Sequence, residues 1–170
     1  QIDVFSPTPA HRIAFAETIG REHGLNINPV ERPEQAVVGC DLLLSVFRAG
    51  KAPLVSADWI TPGMHICAAS SVRPVARELA DEIWRKAAVV AVDDRIHAFE
   101  SGDGRSAIAA RAFDPERAVE LWELVNGQKR GRSADSDVTL FKSVGTAMQD
   151  LAVAHAIYRH AREKGVGRDL

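Results

Sequence analysis

The chain has 170 residues, with 21 Lys or Arg against 23 Asp or Glu and a net charge of −2. A chain of this length fits one domain that buries roughly 70% of its unfolded surface, so folding requires neither a disulfide nor a metal. The near-neutral charge gives no electrostatic basis for binding nucleic acid or a membrane surface. No apolar run approaches the ~18 residues of a membrane span. We therefore predict a soluble, metabolic protein with no nucleic-acid or membrane partner.

Cys40 and Cys67 both lie in apolar surroundings, as reduced cysteines in a protein core do. This pattern predicts a reducing compartment, the cytoplasm. The sequence contains neither a Cys-X-X-Cys nor a His-Glu-X-X-His motif. His155 and His160 are five positions apart on a predicted helix, and that spacing does not place two side chains on one face. We therefore predict no metal site.

Short apolar runs alternate with helical patterns along the chain, which indicates a parallel β-sheet with helices on both faces. A strand over residues 2–5 leads into a helix over residues 10–23, which Gly24 ends. The buried stripe of this helix is predicted to be Ile13, Phe15, Ala16 and Ile19. Then follow a short helix over 33–38, a strand over 41–46, an extended piece over 52–55 and an apolar strand over 63–69.

The second half continues the alternation with a helix over residues 74–86 and a strand over residues 88–93. This strand is apolar on both faces, as a central parallel strand should be. Two helical patterns, over 106–111 and 115–125, lead into a polar, basic loop over 127–136. Within this loop, Arg130 and Arg132 are predicted to be solvated.

A strand-turn-helix junction over residues 137–150 is the most informative part of the chain. A short β-rich run with Val138, Leu140 and Phe141 gives way, at Ser143 and Gly145, to an amphipathic helix over 144–164. Ser143 is well placed to cap this helix. Because α/β folds bind anionic or carbonyl groups at helix starts that follow strand ends, the junction is a candidate ligand site. The alternative is a simple N-cap and tight turn.

The same junction, residues 139–145 together with 149–151, resembles the C-terminal signature of the ornithine cyclodeaminase and mu-crystallin family. Further stretches resemble the family in the same order, namely residues 62–66, 73–79, 92–95 and 100–103. The resemblance covers nearly the whole chain. It implies a Rossmann-like domain that binds NAD or NADP, a separate dimerising domain, and chemistry on amino acids or cyclic imines.

Compared with the family pattern, the chain starts at the second strand of the Rossmann-like domain. Residues 1–170 are therefore expected to form a single, partial NAD(P)-binding domain. The Gly-rich turn that holds the pyrophosphate, and the substrate and dimerisation domain, are expected to lie upstream or not to exist. The sheet edge and apolar helix faces left open in this way predict a homo-oligomer.

Four residues are candidates for the two ends of a cofactor site. Ser6 and Thr8, with Arg12 one turn on, stand at the ribose end, where a carboxylate would select NAD, so they favour NADP. The alternative is that Ser6 and Thr8 only cap a helix with a Pro in its first turn. The resemblance places Ser143 beside the nicotinamide.

Phe47 follows a strand whose end approaches the cofactor in the family, at a position where the family usually carries Thr or Ser. Its side chain either packs on a cofactor ring or blocks it, and the alternative is an aromatic that anchors a loop. It is therefore a fifth candidate cofactor contact, and the one that departs from the family pattern.

The resemblance implies imine reduction rather than ornithine deamination. The cyclodeaminases of the family use an Asp at the position that is Val72 here, and valine cannot move a proton. Mu-crystallin-like members also lack that Asp, carry an Arg-Pro pair nearby and reduce cyclic ketimines. Arg73 is accordingly a candidate for binding the substrate carboxylate, with a solvated side chain at a helix start as the alternative. No catalytic residue is assigned, because the family's substrate-binding Lys and Arg belong to the part of the family upstream of this segment.

The remaining polar groups have structural interpretations. Asp93 and Asp94, at the end of a predicted strand, are typical turn residues rather than acid–base groups. His65 is predicted to be a hydrogen-bonded core imidazole. The sequence thus predicts an NADP-preferring imino acid reductase, with a non-catalytic family member that folds and self-associates as the alternative.

Overall fold

The computed structural model describes residues 1–47, 50–70 and 73–168 and contains two parallel β-sheets with helices between the strands. The strands are β1 (Ile2–Val4), β2 (Ile27–Pro29), β3 (Leu42–Ser45), β4 (His65–Ala68), β5 (Val89–Val92), β6 (Val119–Glu120) and β7 (Thr139–Lys142). The helices are α1 (Pro9–His23), α2 (Pro33–Val37), α3 (Asp81–Lys86), α4 (Arg95–Glu100), α5 (Gly102–Ala109), α6 (Leu121–Val125) and α7 (Ala147–Lys164). The predicted alternation of strands and helices is confirmed.

The larger sheet has five parallel strands in the order β3, β4, β7, β5, β6. Strand β7 comes last in the chain but lies in the middle, with β4 on one side and β5 on the other. Strand β5 is nearly all apolar and buried, as predicted for a central parallel strand. This is the Rossmann-like α/β architecture expected from the sequence.

The smaller sheet pairs β1 with β2 in parallel, so that Ile2 lies opposite Ile27. Strand β2 was not predicted, because three residues ending in Asn28 and Pro29 carry little β-propensity. Among the described residues, β1 pairs only with β2 and β3 only with β4, so each leaves one strand edge unpaired.

An aromatic cluster fills the core on the side of the sheet that α3 and α5 cover. Trp84 is fully buried and packs against Phe99 and Phe113, with ring centroids 6.1 and 5.7 Å away. Such tilted ring pairs add to the free energy gained from burying the apolar area. The buried aliphatic side chains around them include Met64, Ile66, Leu79, Ile83 and Leu140.

The predicted helix over residues 74–86 is wrong in its first half, since α3 begins only at Asp81. The backbone N–H groups of the preceding residues bind partners elsewhere in the chain. Arg77 N donates to Gly50 O at 2.7 Å, and Ala80 N donates to Val55 O at 3.0 Å. These long-range bonds replace the helical ones. Similarly, the predicted helix over 115–125 divides into a 3₁₀ turn, β6 and α6.

Two amphipathic helices leave their apolar faces exposed. In α1 only Ala16 of the predicted buried stripe is buried, whereas Ile13 and Phe15 are 45% and 48% exposed. In α7 no residue is buried, and Leu151 and Tyr158 are 62% and 61% exposed. The helices described over 1–47, 50–70 and 73–168 include none long and apolar enough to cross a membrane.

We predict that the apolar face of α7 drives self-association of this chain. An apolar helix face left exposed on a folded protein marks a contact surface. Light scattering at tens of micromolar should give a mass above the 18.5 kDa of a monomer, and Leu151→Glu should return it to 18.5 kDa. Ala156→Glu, which adds the same charge to the polar face of the helix, is the control. A monomeric mass for the unmodified chain contradicts the prediction.

Candidate cofactor site

The candidate site lies at the carboxyl edge of the larger sheet. Because all five strands are parallel, their carboxyl ends meet at one edge, which is where open α/β sheets bind ligands. The register aligns Ser45, Ala68, Lys142 and Val92 across four neighbouring strands. Ser143 and Asp93, the next residues after β7 and β5, are therefore neighbours.

Asp93 holds the turn between β7 and α7. Its carboxylate accepts hydrogen bonds from Ser143 Oγ at 2.8 Å, Val144 N at 2.9 Å and Gly145 N at 2.7 Å. Gly145 has a φ of +81°, a left-handed conformation that glycine adopts without strain. The carboxylate thus satisfies two backbone N–H groups that precede the helix. Asp93, predicted as an ordinary turn residue, sets the conformation of the candidate ligand-binding turn.

Ser143 does not cap α7, contrary to the prediction. The N-cap is Thr146, whose Oγ1 accepts from Gln149 N at 3.4 Å while Gln149 Oε1 accepts from Thr146 N at 3.3 Å. This reciprocal pair is a capping box. Since the Ser143 hydroxyl hydrogen is donated to Asp93, the Ser143 oxygen remains available as an acceptor.

Behind this edge lies a buried cluster of charged side chains that the sequence analysis missed. Glu78, Asp103 and Lys142 are all fully buried. Lys142 Nζ lies 2.9 Å from Glu78 Oε2 and 3.5 Å from Asp103 Oδ2, and it donates to Ser70 O at 2.6 Å. We call Glu78, Asp103 and Lys142 the buried ion cluster. One signal was present in the sequence: Lys142 continues the inward-facing positions of Val138 and Leu140, where a charged residue requires a partner.

The three residues predicted for the ribose end, Ser6, Thr8 and Arg12, lie around the turn from β1 to α1. Arg12 Nη1 donates to Ser6 O at 2.9 Å, which holds the guanidinium over this turn. Thr8 is the N-cap of α1 by position, but its side chain makes no capping hydrogen bond. The alternative of an N-cap followed by a Pro in the first helical turn is therefore confirmed for the position of Thr8 and wrong only for a side-chain capping bond, and Thr8 is exposed.

Phe47 is half-buried two residues after β3, at the same edge as Ser143. Arg73 is exposed and lies in a bend rather than at a helix start, so the predicted helix position is wrong. Its neighbour Pro74 lines an open cleft of about 390 Å³ together with Val144 and Gly145. Val72 lies outside the described residues.

At the amino edge of the sheet, His65 Nδ1 lies 2.7 Å from Thr139 Oγ1, which confirms the predicted hydrogen bond, but the side chain is half-buried rather than in the core. Arg132 is exposed, as predicted, but its side chain also makes hydrogen bonds to the neighbouring loop and strand. Its guanidinium donates to Gly63 O at 2.7 Å and to Thr139 Oγ1 at 3.3 Å. Because Thr139 Oγ1 accepts from Arg132, its own hydrogen can be donated to an unprotonated Nδ1.

We predict that His65 makes folding sensitive to mild acid. Burial, and secondarily the charge of Arg132, lower the pKa of His65 below its ordinary value of 6.5. The unfolded chain then binds a proton more readily, so the stability that the neutral ring contributes is present above pH 6.5 and is lost as the pH falls through the folded-state pKa. Denaturant unfolding of His65→Asn should show less loss between neutral and acid pH than the unmodified chain. An unchanged loss, equal to that of the exposed control His23→Asn, contradicts this.

The two cysteines are free and half-buried rather than fully buried in the core. Burial raises the pKa of the Cys40 and Cys67 thiols above the ordinary value of 9.0. Both are therefore mainly unreactive thiols at neutral pH. The described residues contain no group of His, Cys, Asp and Glu side chains arranged to hold a metal ion.

Known proteins are similar to this chain in both sequence and fold. The model of the ornithine cyclodeaminase/mu-crystallin family matches residues 1–165. Ketimine reductase mu-crystallin of Mus musculus is 37% identical over 159 residues, which are 93% of this chain and 46% of that protein. The Delta(1)-pyrroline-2-carboxylate reductase of Thermococcus litoralis, solved in complex with NADH and L-proline, superposes with a TM-score of 0.93 at 33% identity. That match covers 99% of this chain and 52% of the other.

An archaeal alanine dehydrogenase dimer with bound NAD superposes with a TM-score of 0.89 at 30% identity, over 99% of this chain and 51% of the other. The chain spans about half the length of these relatives. The family model covers nearly all of the chain, and the fold agrees over its whole length. This chain belongs to the ornithine cyclodeaminase/mu-crystallin family.

Proposed function

We propose that this chain forms the ribose and nicotinamide ends of the dinucleotide site of an NAD(P)-dependent imine reductase. The observation that carries the proposal is the turn at Ser143–Gly145, which Asp93 holds at the carboxyl edge of the sheet. The Ser143 oxygen is left as an acceptor and suits the amide N–H of a nicotinamide. A pyrroline-carboxylate reductase solved with NADH has this fold, and a ketimine reductase is similar in sequence.

The proposed substrate is a cyclic imine or a related amino acid. When bound, the reduced nicotinamide supplies hydride to the imine carbon. The chain itself binds and orients: Arg73, next to the cleft that Pro74 lines, is proposed to bind the substrate carboxylate. Phe47, at the same edge, is proposed to pack on the cofactor. Val72 stands where the cyclodeaminases carry their acidic residue, which favours reduction over deamination.

We propose a preference for NADP over NAD. The turn after β1 carries no carboxylate to bind a ribose 2′-hydroxyl or to repel a 2′-phosphate. It instead presents the exposed Thr8 at the helix start and, one turn on, the Arg12 guanidinium, which donates to Ser6 O. A cation and a hydroxyl at a helix start suit a phosphate.

We propose that residues 1–170 form one part of the dinucleotide site and that the turn that binds the pyrophosphate lies on a preceding segment. Two observations support this. Strands β1 and β3 each have an unpaired edge among the described residues, so one further parallel strand between them would join the two sheets. On β3, Leu42 and Leu44 are 61% and 66% exposed, as expected for a sheet face that another element covers.

The cofactor proposal is tested by titrating NADPH and NADH against tryptophan fluorescence, with Trp59, Trp84 and Trp122 as reporters. We expect NADPH to bind about tenfold more tightly than NADH, since one charge-assisted contact contributes roughly that factor. Arg12→Gln should remove this preference. Arg130→Gln, the same change at an exposed loop arginine, is the control.

No fluorescence response at millimolar cofactor would refute cofactor binding by this chain. Combined with a dimeric mass, that outcome would support the alternative of a non-catalytic family member that self-associates through exposed apolar faces such as that of α7. Binding of both cofactors with equal affinity would refute only the NADP preference.

A further inference from the structure

The buried ion cluster has no obvious role in stability. A fully buried Lys–Glu pair loses the hydration of both charges, and an apolar pair of the same volume often stabilises a fold as well or better. Here Glu78, Asp103 and Lys142 are each fully buried, so the desolvation cost applies to all three. The contacts of the cluster instead indicate a role in holding the ends of neighbouring strands together.

Glu78 connects the ends of three adjacent strands. Its Oε1 accepts from Ser45 Oγ, in the last residue of β3, at 2.8 Å and from Ser70 Oγ, two residues after β4, at 2.6 Å. Its Oε2 accepts from Ser70 N at 3.3 Å and from Lys142 Nζ, in the last residue of β7, at 2.9 Å. One carboxylate therefore lies across β3, β4 and β7 at the edge that carries the candidate cofactor site.

The rest of the cluster fixes Glu78 itself. Asp103, near the start of α5, accepts from Glu78 N at 2.8 Å and from Leu79 N at 3.2 Å. Arg77 adds a second cation, with Nε 3.5 Å from Asp103 Oδ1. The backbone that carries Glu78 is thus held by α5, and the side chain of Glu78 is held by the strand ends.

We propose that Glu78 and Lys142 are positioning residues that fix the ends of β3, β4 and β7 relative to one another before any ligand binds. Lys142 immediately precedes Ser143, so its ion pair sets where the turn that Asp93 holds begins. A site whose supporting groups are fixed in advance loses less entropy on binding. The consequence for cofactor binding rests on the proposed function, whereas the positioning itself does not.

Three variants separate positioning from stability. Lys142→Met keeps the length of the side chain but removes the cation that lies 2.9 Å from the buried Glu78 carboxylate, so a large drop in denaturant midpoint is expected. Glu78→Gln keeps one oxygen for Ser45 and Ser70 but removes the charge. In the double variant Glu78→Gln/Lys142→Met both members of the pair are neutral, so the midpoint should recover relative to Lys142→Met.

Amide hydrogen exchange measures the positioning directly. In the double variant we expect exchange at Ser70, Val144 and Gly145 to become about tenfold faster, since the ion pair between Glu78 and the end of β7 is gone. Ile83→Ala, a core truncation in α3, is the control, because it lowers stability and the hydrogen bonds and ion pairs of the buried ion cluster do not involve Ile83. If the unmodified chain binds NADPH, the double variant should bind it about tenfold more weakly.

The proposal is overturned if the double variant keeps the exchange rates of the unmodified chain at these amides, or if Ile83→Ala accelerates them equally at matched stability. A double variant that does not fold also overturns it, because the pair is then needed for folding itself. If the unmodified chain binds no NADPH, the proposed function fails, and the exchange rates still decide the positioning role.

Discussion

Gly102→Ala should lower the free energy of unfolding by about 3 kcal/mol or more, the largest effect that we expect from any single methyl group in this chain. A Cβ on Gly102 would overlap the carbonyl group of Ala76 and lie 2.9 Å from the carbonyl oxygen of Arg73. Both neighbours are backbone atoms, so neither can rotate away. The segment that carries Arg73 and Pro74 would have to move off α5.

Thermal unfolding measures this effect, and a loss of that size corresponds to roughly 10 °C in Tm. The control is Gly131→Ala, since a Cβ there meets no atom within 4 Å and the backbone is not left-handed. The control should unfold within about 0.5 kcal/mol of the unmodified chain. Equal Tm values for the two alanine variants would show that the 73–76 segment does not pack on α5 in this way.

Asp93→Asn should disorder the turn at Ser143–Gly145 and abolish the proposed cofactor binding. The carboxylate accepts from one hydroxyl and two backbone N–H groups, whereas an amide offers one oxygen and turns an NH₂ group towards the remaining donors. Losing charge-assisted bonds of this kind costs about 2 kcal/mol. Denaturant unfolding gives the stability, and NADPH titration gives the affinity.

The matched control is Asp135→Asn, an exposed loop residue whose contact with Arg132 is made by its backbone carbonyl. It should change neither stability nor affinity. Should Asp93→Asn lose stability and still bind NADPH with the affinity of the unmodified chain, the turn would not be part of the cofactor site. Should it lose neither, the hydrogen bonds to Asp93 would not hold the turn.

Elements with a strong local pattern were predictable from sequence. The apolar run of β5 and the Pro–Gly boundaries of α1 led to the right structure, because burial on both faces and the end signals of helices are visible within a few residues. The segment before α3 was not predictable. Its helical pattern is overridden by hydrogen bonds from Arg77 and Ala80 to Gly50 and Val55, more than twenty residues away.

The candidate site was only partly predictable, for the same reason. The position of Ser143 at a strand-turn-helix junction can be seen in the sequence, but its partner Asp93 lies 50 residues away and is brought to it by the pairing of β5 with β7. Glu78 and Lys142 are 64 residues apart. No local pattern relates such residues, so Ser143 was predicted to be a cap and Lys142 received no role.

The central position of β7 determines when the larger sheet can be completed during folding. Strands β4 and β5 each pair with β7 rather than with each other. The two halves of the larger sheet, β3–β4 and β5–β6, are therefore not joined until β7 is in place. During synthesis on a ribosome, the residues before 139 emerge first, and the edges of β4 and β5 that bind β7 are then unpaired. Unpaired strand edges of this kind promote aggregation. Loss of the segment that carries β7 would therefore remove the middle of the sheet rather than an edge strand.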